Sequence, residues 1–185
     1  DELVKAGIKL NKKIIQEKIC DHVTPAEAKT KNAVRTFLSL NGKPDKFMRL
    51  KQVALYWQRR LMNNGLITLT RTDEDKRHFP NLKDYYPYVS SILTEKDFEK
   101  FCKHWPYSLD EQNVKQGLYG KHFSGYPFDK KLFADTYMSV ISETHSAAHN
   151  CNPQFFPTEK TYKAIVNCHP FIMLSTHNYL KELQS

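Results

Sequence analysis

The sequence predicts an α/β fold: a parallel sheet with flanking helices, an N-terminal helical arm and a long irregular insertion. Three observations predict it. Two strand-like runs, "AVRTFLSLNG" and "LITLTR", bracket an amphipathic helical run, and that order reads as a parallel crossover unit. The order recurs near the C-terminus, where "TYMSVISET" and "PFIMLS" enclose a helical run opening at Thr158. Between the two units lies a polar, aromatic, turn-rich stretch, residues 73–133, which reads as an excursion from the sheet.

Residues 1–33 form the arm. Leu3, Ile8, Leu10, Ile14, Ile15 and Ile19 recur at mostly helical spacing beside a basic face, so residues 3–20 are expected to be a helix. A second start follows at Thr24-Pro25-Ala26-Glu27, with a cap, a proline in the first turn and a Glu at the third position. From residue 34 the period changes. Val34, Phe37/Leu38 and Leu40 alternate up to the turn signal Asn41-Gly42. Phe47, Leu50, Val53, Ala54, Trp57 and Leu61 then share one helical face, with Gly65 where a helix C-cap belongs. "LITLTR" supplies the next strand. Residues 34–185 thus read as one Rossmann-like domain carrying 73–133 as an insertion, which a helix over 94–104 interrupts. The strand "TYMSVISET", the loop "HSAAHNCNPQFFP", the helix from Thr158, the strand "PFIMLS" and a helix from about Thr176 complete it.

With 185 residues, 40% of them hydrophobic and 12% aromatic, the chain can bury a real core. No apolar run reaches the roughly 18–20 residues that a membrane span needs. The start lacks an initiator Met and the chain stops inside the helical pattern "THNYLKELQS", so both ends read as cuts in a longer protein. Lys and Arg outnumber Asp and Glu by 28 to 20, a net charge of +8, which suits an anionic partner such as a phosphate-bearing substrate or nucleic acid. The basic residues are spread along the chain, which fits a solvated surface as well. Cys20, Cys102, Cys151 and Cys168 form no CxxC, so reduced thiols and a cytoplasmic location are expected.

The chemistry centres on Thr158. Its side chain can cap a helix whose first turn holds Glu159 and Lys160. The Glu complements the positive helix end, whereas the Lys opposes it unless an anion binds there. Thr94-Glu95-Lys96 opens another expected helix, so Thr-Glu-Lys alone carries no functional weight. Position supplies what the pattern lacks. The Thr158 helix follows a strand ending in Glu143 and Thr144, and open α/β sheets bind ligands beyond the carboxyl ends of their strands. Arg49 opens the helix after the first strand, near Lys43 and Lys46, and an Arg fork plus a Lys point charge suits a diphosphate. Glu159 can accept from a ribose diol, and Phe155 or Phe156 can lie against a base.

The segments "FLSLNGKPDKFMRLKQVALYWQRRL" and "SVISETHSAAHNCNPQFFPTEKTYKAIVNCHPFIML" together resemble the nucleotide-sugar half of GT-B glycosyltransferases. The likeness is to the α-1,3-fucosyltransferase family and to related uncharacterised glycosyltransferase-like proteins of phages and other viruses. It does not extend to residues 1–33 or 73–133. It implies a nucleoside-diphosphate sugar as substrate, no cofactor, no obligatory metal and an acceptor hydroxyl of unspecified identity. It further implies that Arg49 and Lys160 contact the diphosphate beside Thr158, that Glu159 holds the ribose and that Phe156 meets the base. Glu143 is implied as the catalytic residue at the donor-sugar edge. For a viral protein the implied location is the host cytoplasm or the virion. Phe156 stands where the family usually has Tyr, and Glu143-Thr144 where it has Glu-Asn.

Two other function classes are compatible with the residues. One is a non-catalytic structural or assembly protein, viral or otherwise, that retains the fold. The other is a basic nucleic-acid-binding module that stacks bases on Tyr85, Tyr86, Tyr88, Trp105 and Tyr107; packing of these rings onto the sheet is the preferred reading. His145, His149 and Cys151, with Cys168 and His169, offer zinc-type ligands, but scattered loop residues explain them better and no metal site is expected.

Overall fold

The structure is a computed structural model, and it describes residues 25–30, 32–44, 47–107, 130–143 and 157–184. In chain order these hold α1 (Pro25–Thr30), β1 (Arg35–Asn41), α2 (Phe47–Gln58), β2 (Gly65–Leu69), α3 (Asp73–His78), α4 (Tyr86–Val89) and α5 (Glu95–Lys103). There follow α6 (Lys130–Ala134), β3 (Thr136–Ser142), α7 (Glu159–Val166), β4 (Phe171–Leu174) and α8 (Tyr179–Gln184). The expected helix over 3–20 lies outside the described residues.

The four strands form one all-parallel sheet in the order β2-β1-β3-β4. It grows outward in both directions from the central β1/β3 pair, so crossovers of one hand must lie on opposite faces. The side chains agree. Leu50, Val53 and Ala54 of α2 pack with Phe37, Ile67 and Leu69 on one face, while Lys160 and Lys163 of α7 lie against Leu38, Leu40 and Ile141 on the other. Phe133 of α6 and Ala28 of α1 join Leu38 on that second face. Residues 34–185 therefore contain the α/β, Rossmann-like sheet with flanking helices that the periodicity predicts.

Two expectations need correction. Gly65 does not close α2: it follows the short 3₁₀ turn Met62–Asn64 and opens β2 with an extended backbone, φ −121°. Its lack of a side chain serves space, because a Cβ there would lie 2.5 Å from the Phe37 ring. The helix ends instead at Arg60, which takes φ 57°, and the bonds Arg60 N–H to Trp57 O (3.0 Å) and Leu61 N–H to Tyr56 O (2.8 Å) close a Schellman motif. Second, the described part of the 73–133 stretch is not an excursion from the core. Tyr85, Val89, Leu93, Phe98, Phe101 and Trp105 are buried in one cluster with Phe37, Leu50, Val53 and Leu69. The aromatics that look turn-like in sequence fill the space over α2 and β2. Tyr85 and Trp105 are 0% and 9% exposed, which leaves neither ring a face for a base and removes them as stacking platforms.

Candidate functional site

The carboxyl ends of β1 and β3 meet where the crossovers diverge, the switch point at which open α/β sheets bind ligands. Polar side chains interrupt the apolar first face there. Ser39 and Asn41 share the parity of Phe37 and look toward α2, where Gln52 lies one turn beyond Arg49. Asn41 Nδ2 donates to Ser39 Oγ (2.9 Å), as does Gln52 Nε2 (3.2 Å). The Thr68 hydroxyl accepts from Asn41 N–H (2.9 Å) and donates to Asn41 C=O (3.1 Å), which fixes the end of β1 against β2. Asn41 Oδ1, Gln52 Oε1 and Ser142 Oγ are buried polar atoms without a hydrogen-bond partner among the described residues. Such atoms are uncommon in native interiors and mark the places where a polar ligand or water gains most.

Arg49 and Glu143 are brought together at this edge. Arg49 is 5% exposed, and its Nε donates to the Ser142 carbonyl at 3.3 Å, so the guanidinium reaches from α2 to the tip of β3. Glu143 is the next residue. It is 1% exposed and points inward rather than toward an open sugar site. Its Oε1 accepts from Thr158 N–H (3.2 Å) and the Thr161 hydroxyl, and its Oε2 from the Thr158 hydroxyl. Thr161 spends its one hydrogen on Glu143. The Tyr179 hydroxyl, 3.2 Å from both Thr161 Oγ1 and Glu143 Oε1, therefore divides its own hydrogen between them. A buried carboxylate requires this density of donors. Burial pushes the Tyr179 phenol well above its usual range, the Thr161 hydroxyl opposes the shift and the Glu143 charge adds to it. Tyr162 is raised by burial first and by Glu143 second.

Thr158 is the N-cap of α7: its backbone is extended and its side chain accepts from Lys160 N–H at 3.4 Å. Lys160 itself is half-buried. With Lys163 it lines a cavity of about 20 Å³ on the second sheet face, against Leu38, Leu40 and Ile141. It is thus on the opposite face from α2 and Arg49. Glu159 is described through its backbone alone, as the first residue of α7. Phe156, with Phe155, Thr144 and Lys46, lies outside the described residues. Lys43 pairs with Glu74 of α3, and the hydrogen bond from Lys43 lowers the Glu74 carboxyl below its usual range.

Zinc-type ligation gains no support among the described residues, where no three His, Cys, Asp or Glu side chains are grouped to hold a metal. His145, His149 and Cys151 lie outside them. His169 is buried with both ring nitrogens engaged: Nε2 faces the Thr136 carbonyl (2.9 Å) and so carries the proton, while Nδ1 accepts from Ser139 Oγ (2.7 Å). Thr161, Tyr179 and Ser142 are the participants that sequence reasoning missed. Only Thr161 left a signal, a hydroxyl three residues past the Thr158 cap and on its side of the helix. Comparison with family models, with curated proteins and with solved structures returned no match for this chain.

Proposed function

We propose that this domain binds a nucleoside-diphosphate sugar at the β1/β3 switch point, as the donor-binding part of a glycosyltransferase-like protein that transfers the sugar to an acceptor hydroxyl. The observation that carries the reading is the bonded chain Arg49–Ser142–Glu143–Thr158, which ties α2 to the start of α7 at the carboxyl edge of the sheet. Departure of a diphosphate develops negative charge, and a guanidinium fork plus helix N–H groups stabilise such charge without reorganising. In this reading Arg49 and the backbone of the first turn of α7 hold the diphosphate, while the Lys160 side chain, turned to the other sheet face, is left out of the site. Glu143 is a positioning residue: it orients Thr158 and so sets the direction of the α7 N-terminus. Glu159 and Phe156 are assigned to ribose and base on the family resemblance alone.

One observation favours a second reading, a non-catalytic structural or assembly protein. The Glu143 carboxylate accepts from Thr158, Thr161 and Tyr179 of the protein itself, as a pure brace would have it. Calorimetry with a panel of nucleoside diphosphates decides between them. The donor reading expects binding that Arg49→Lys weakens by roughly 1.5–3 kcal/mol, the scale of a charge-assisted hydrogen bond. A folded sample that takes up no nucleotide at millimolar concentration leaves the scaffold.

A further inference from the structure

We propose that the outer edge of β2 docks an extended, acidic polypeptide segment, which adds to the sheet as a strand antiparallel to β2. A groove of about 1020 Å³ runs along this edge, with Gly65, Leu66 and Ile67 in its floor and Tyr107 at one end. It begins where β1 and β2 begin, at Arg35 and Gly65, and is separate from the carboxyl edge that carries Asn41 and Ser142.

The backbone supplies the first argument. Thr70 N–H bonds Gly42 C=O at 3.2 Å, so even-numbered residues of β2 turn their polar groups toward β1. Leu69 exchanges both backbone bonds with Tyr107, at 2.9 and 3.1 Å, so odd-numbered residues turn outward. The N–H and C=O of Ile67 and the C=O of Gly65 therefore face the groove. The Leu69–Tyr107 pair is an isolated antiparallel bridge, the first rung of a ladder that the described residues do not continue. β2 reads GLITL and carries neither a charge nor a proline, two devices that protect sheet edges from pairing. Alternating outward donors and acceptors are matched by another polypeptide backbone.

Charge selects the partner. Exposed Arg35 and Arg60 stand at the strand-start end of the groove, with Lys100 and His104 on the α5 wall. Among the described residues Asp97 is the one acidic side chain lining it, and Lys100 already pairs with it at 3.6 Å. Trp57 is half-buried and held against Phe101 and His104, at centroid distances of 5.9 and 5.2 Å, so it forms a wall for an aliphatic side chain rather than a platform for a base.

The test titrates the full chain with a capped peptide of alternating Glu and Val, followed by amide chemical shifts. Binding should move the Gly65 and Ile67 amides. Backbone N-methylation of the residues facing β2, or Lys in place of every Glu, should abolish it. Arg60→Gly keeps the fold, because glycine suits φ 57°, yet removes a rim charge and should weaken binding about threefold to fivefold. Failure of the Glu-Val peptide to bind, equal binding of its N-methylated form, shifts confined to another face, or displacement by an equally charged oligothymidylate overturns the proposal.

Discussion

Thr94 and Thr158 begin the same three-residue run and both cap helices, yet they do different work. Thr94 accepts from Asp97 N–H at 3.2 Å on an exposed surface. Thr158 is buried and also gives its hydroxyl and backbone hydrogens to Glu143. Thr94→Ala is therefore expected to cost the loss of an ordinary cap, about 1 kcal/mol. Thr158→Ala also strips a donor from a buried carboxylate and should cost roughly 2.5–4 kcal/mol, read from urea midpoints at constant slope. Tyr179 adds a pH signature. Its folded pKa lies above the ordinary 10.0, so above pH 10 the unfolded chain loses this proton while the folded chain keeps it. The stability it contributes is complete below pH 10 and lost as pH rises through the folded value. Tyr179→Phe should make the alkaline loss of stability shallower, and an unchanged slope would detach the phenol from the network. Cys102, whose thiol burial pushes up to about 11, should alkylate at pH 8 far more slowly than exposed Cys168.

The sequence shows where strands and helices alternate, because apolar period is a local property. It hides how a helix ends when the ending uses an unexpected residue. α2 closes on Arg60 at φ 57°, and α7 on Cys168 at φ 49° with the same pair of bonds, Cys168 N–H to Ile165 O and His169 N–H to Ala164 O. Both are positions where a Cβ is strained. Arg60→Gly and Cys168→Gly should each raise stability by about 0.5–1 kcal/mol, since relief of the left-handed conformation outweighs the added freedom of the unfolded chain. Gly65→Ala should do the reverse. Its Cβ would strike the Phe37 ring, which itself packs on Tyr56 with centroids 4.8 Å apart, at a cost of roughly 1–3 kcal/mol. Phe37→Leu should recover part of that loss in a double-mutant cycle.

At the scale of the whole molecule, the strand–helix–strand units and the packing of the Tyr85 and Trp105 rings onto them were legible, whereas the sharing of one core by residues 73–107 and α2 was not. Parallel order follows from local alternation; the joining of Tyr85, Phe98 and Trp105 to the α2 cluster follows from what α2 and β2 leave uncovered, which no window of sequence contains. The site divides in the same way. Arg49 and Thr158 announce themselves as helix starts, whereas Tyr179 reaches Glu143 only because β4 returns α8 to the start of α7. The shared core has a consequence for dynamics. Residues of one contiguous cluster open together, while an appended segment opens at lower free energy. In denaturant-dependent hydrogen exchange, the bonded amides of Leu93 and Phe98, with carbonyl partners Val89 and Thr94, should therefore merge with those of Val53 and Ala54 in a single global unfolding isotherm. An isotherm for residues 85–105 with a smaller slope and lower free energy than that of α2 would show that the aromatic segment folds on the sheet as a separate layer, and the single-core account would fail.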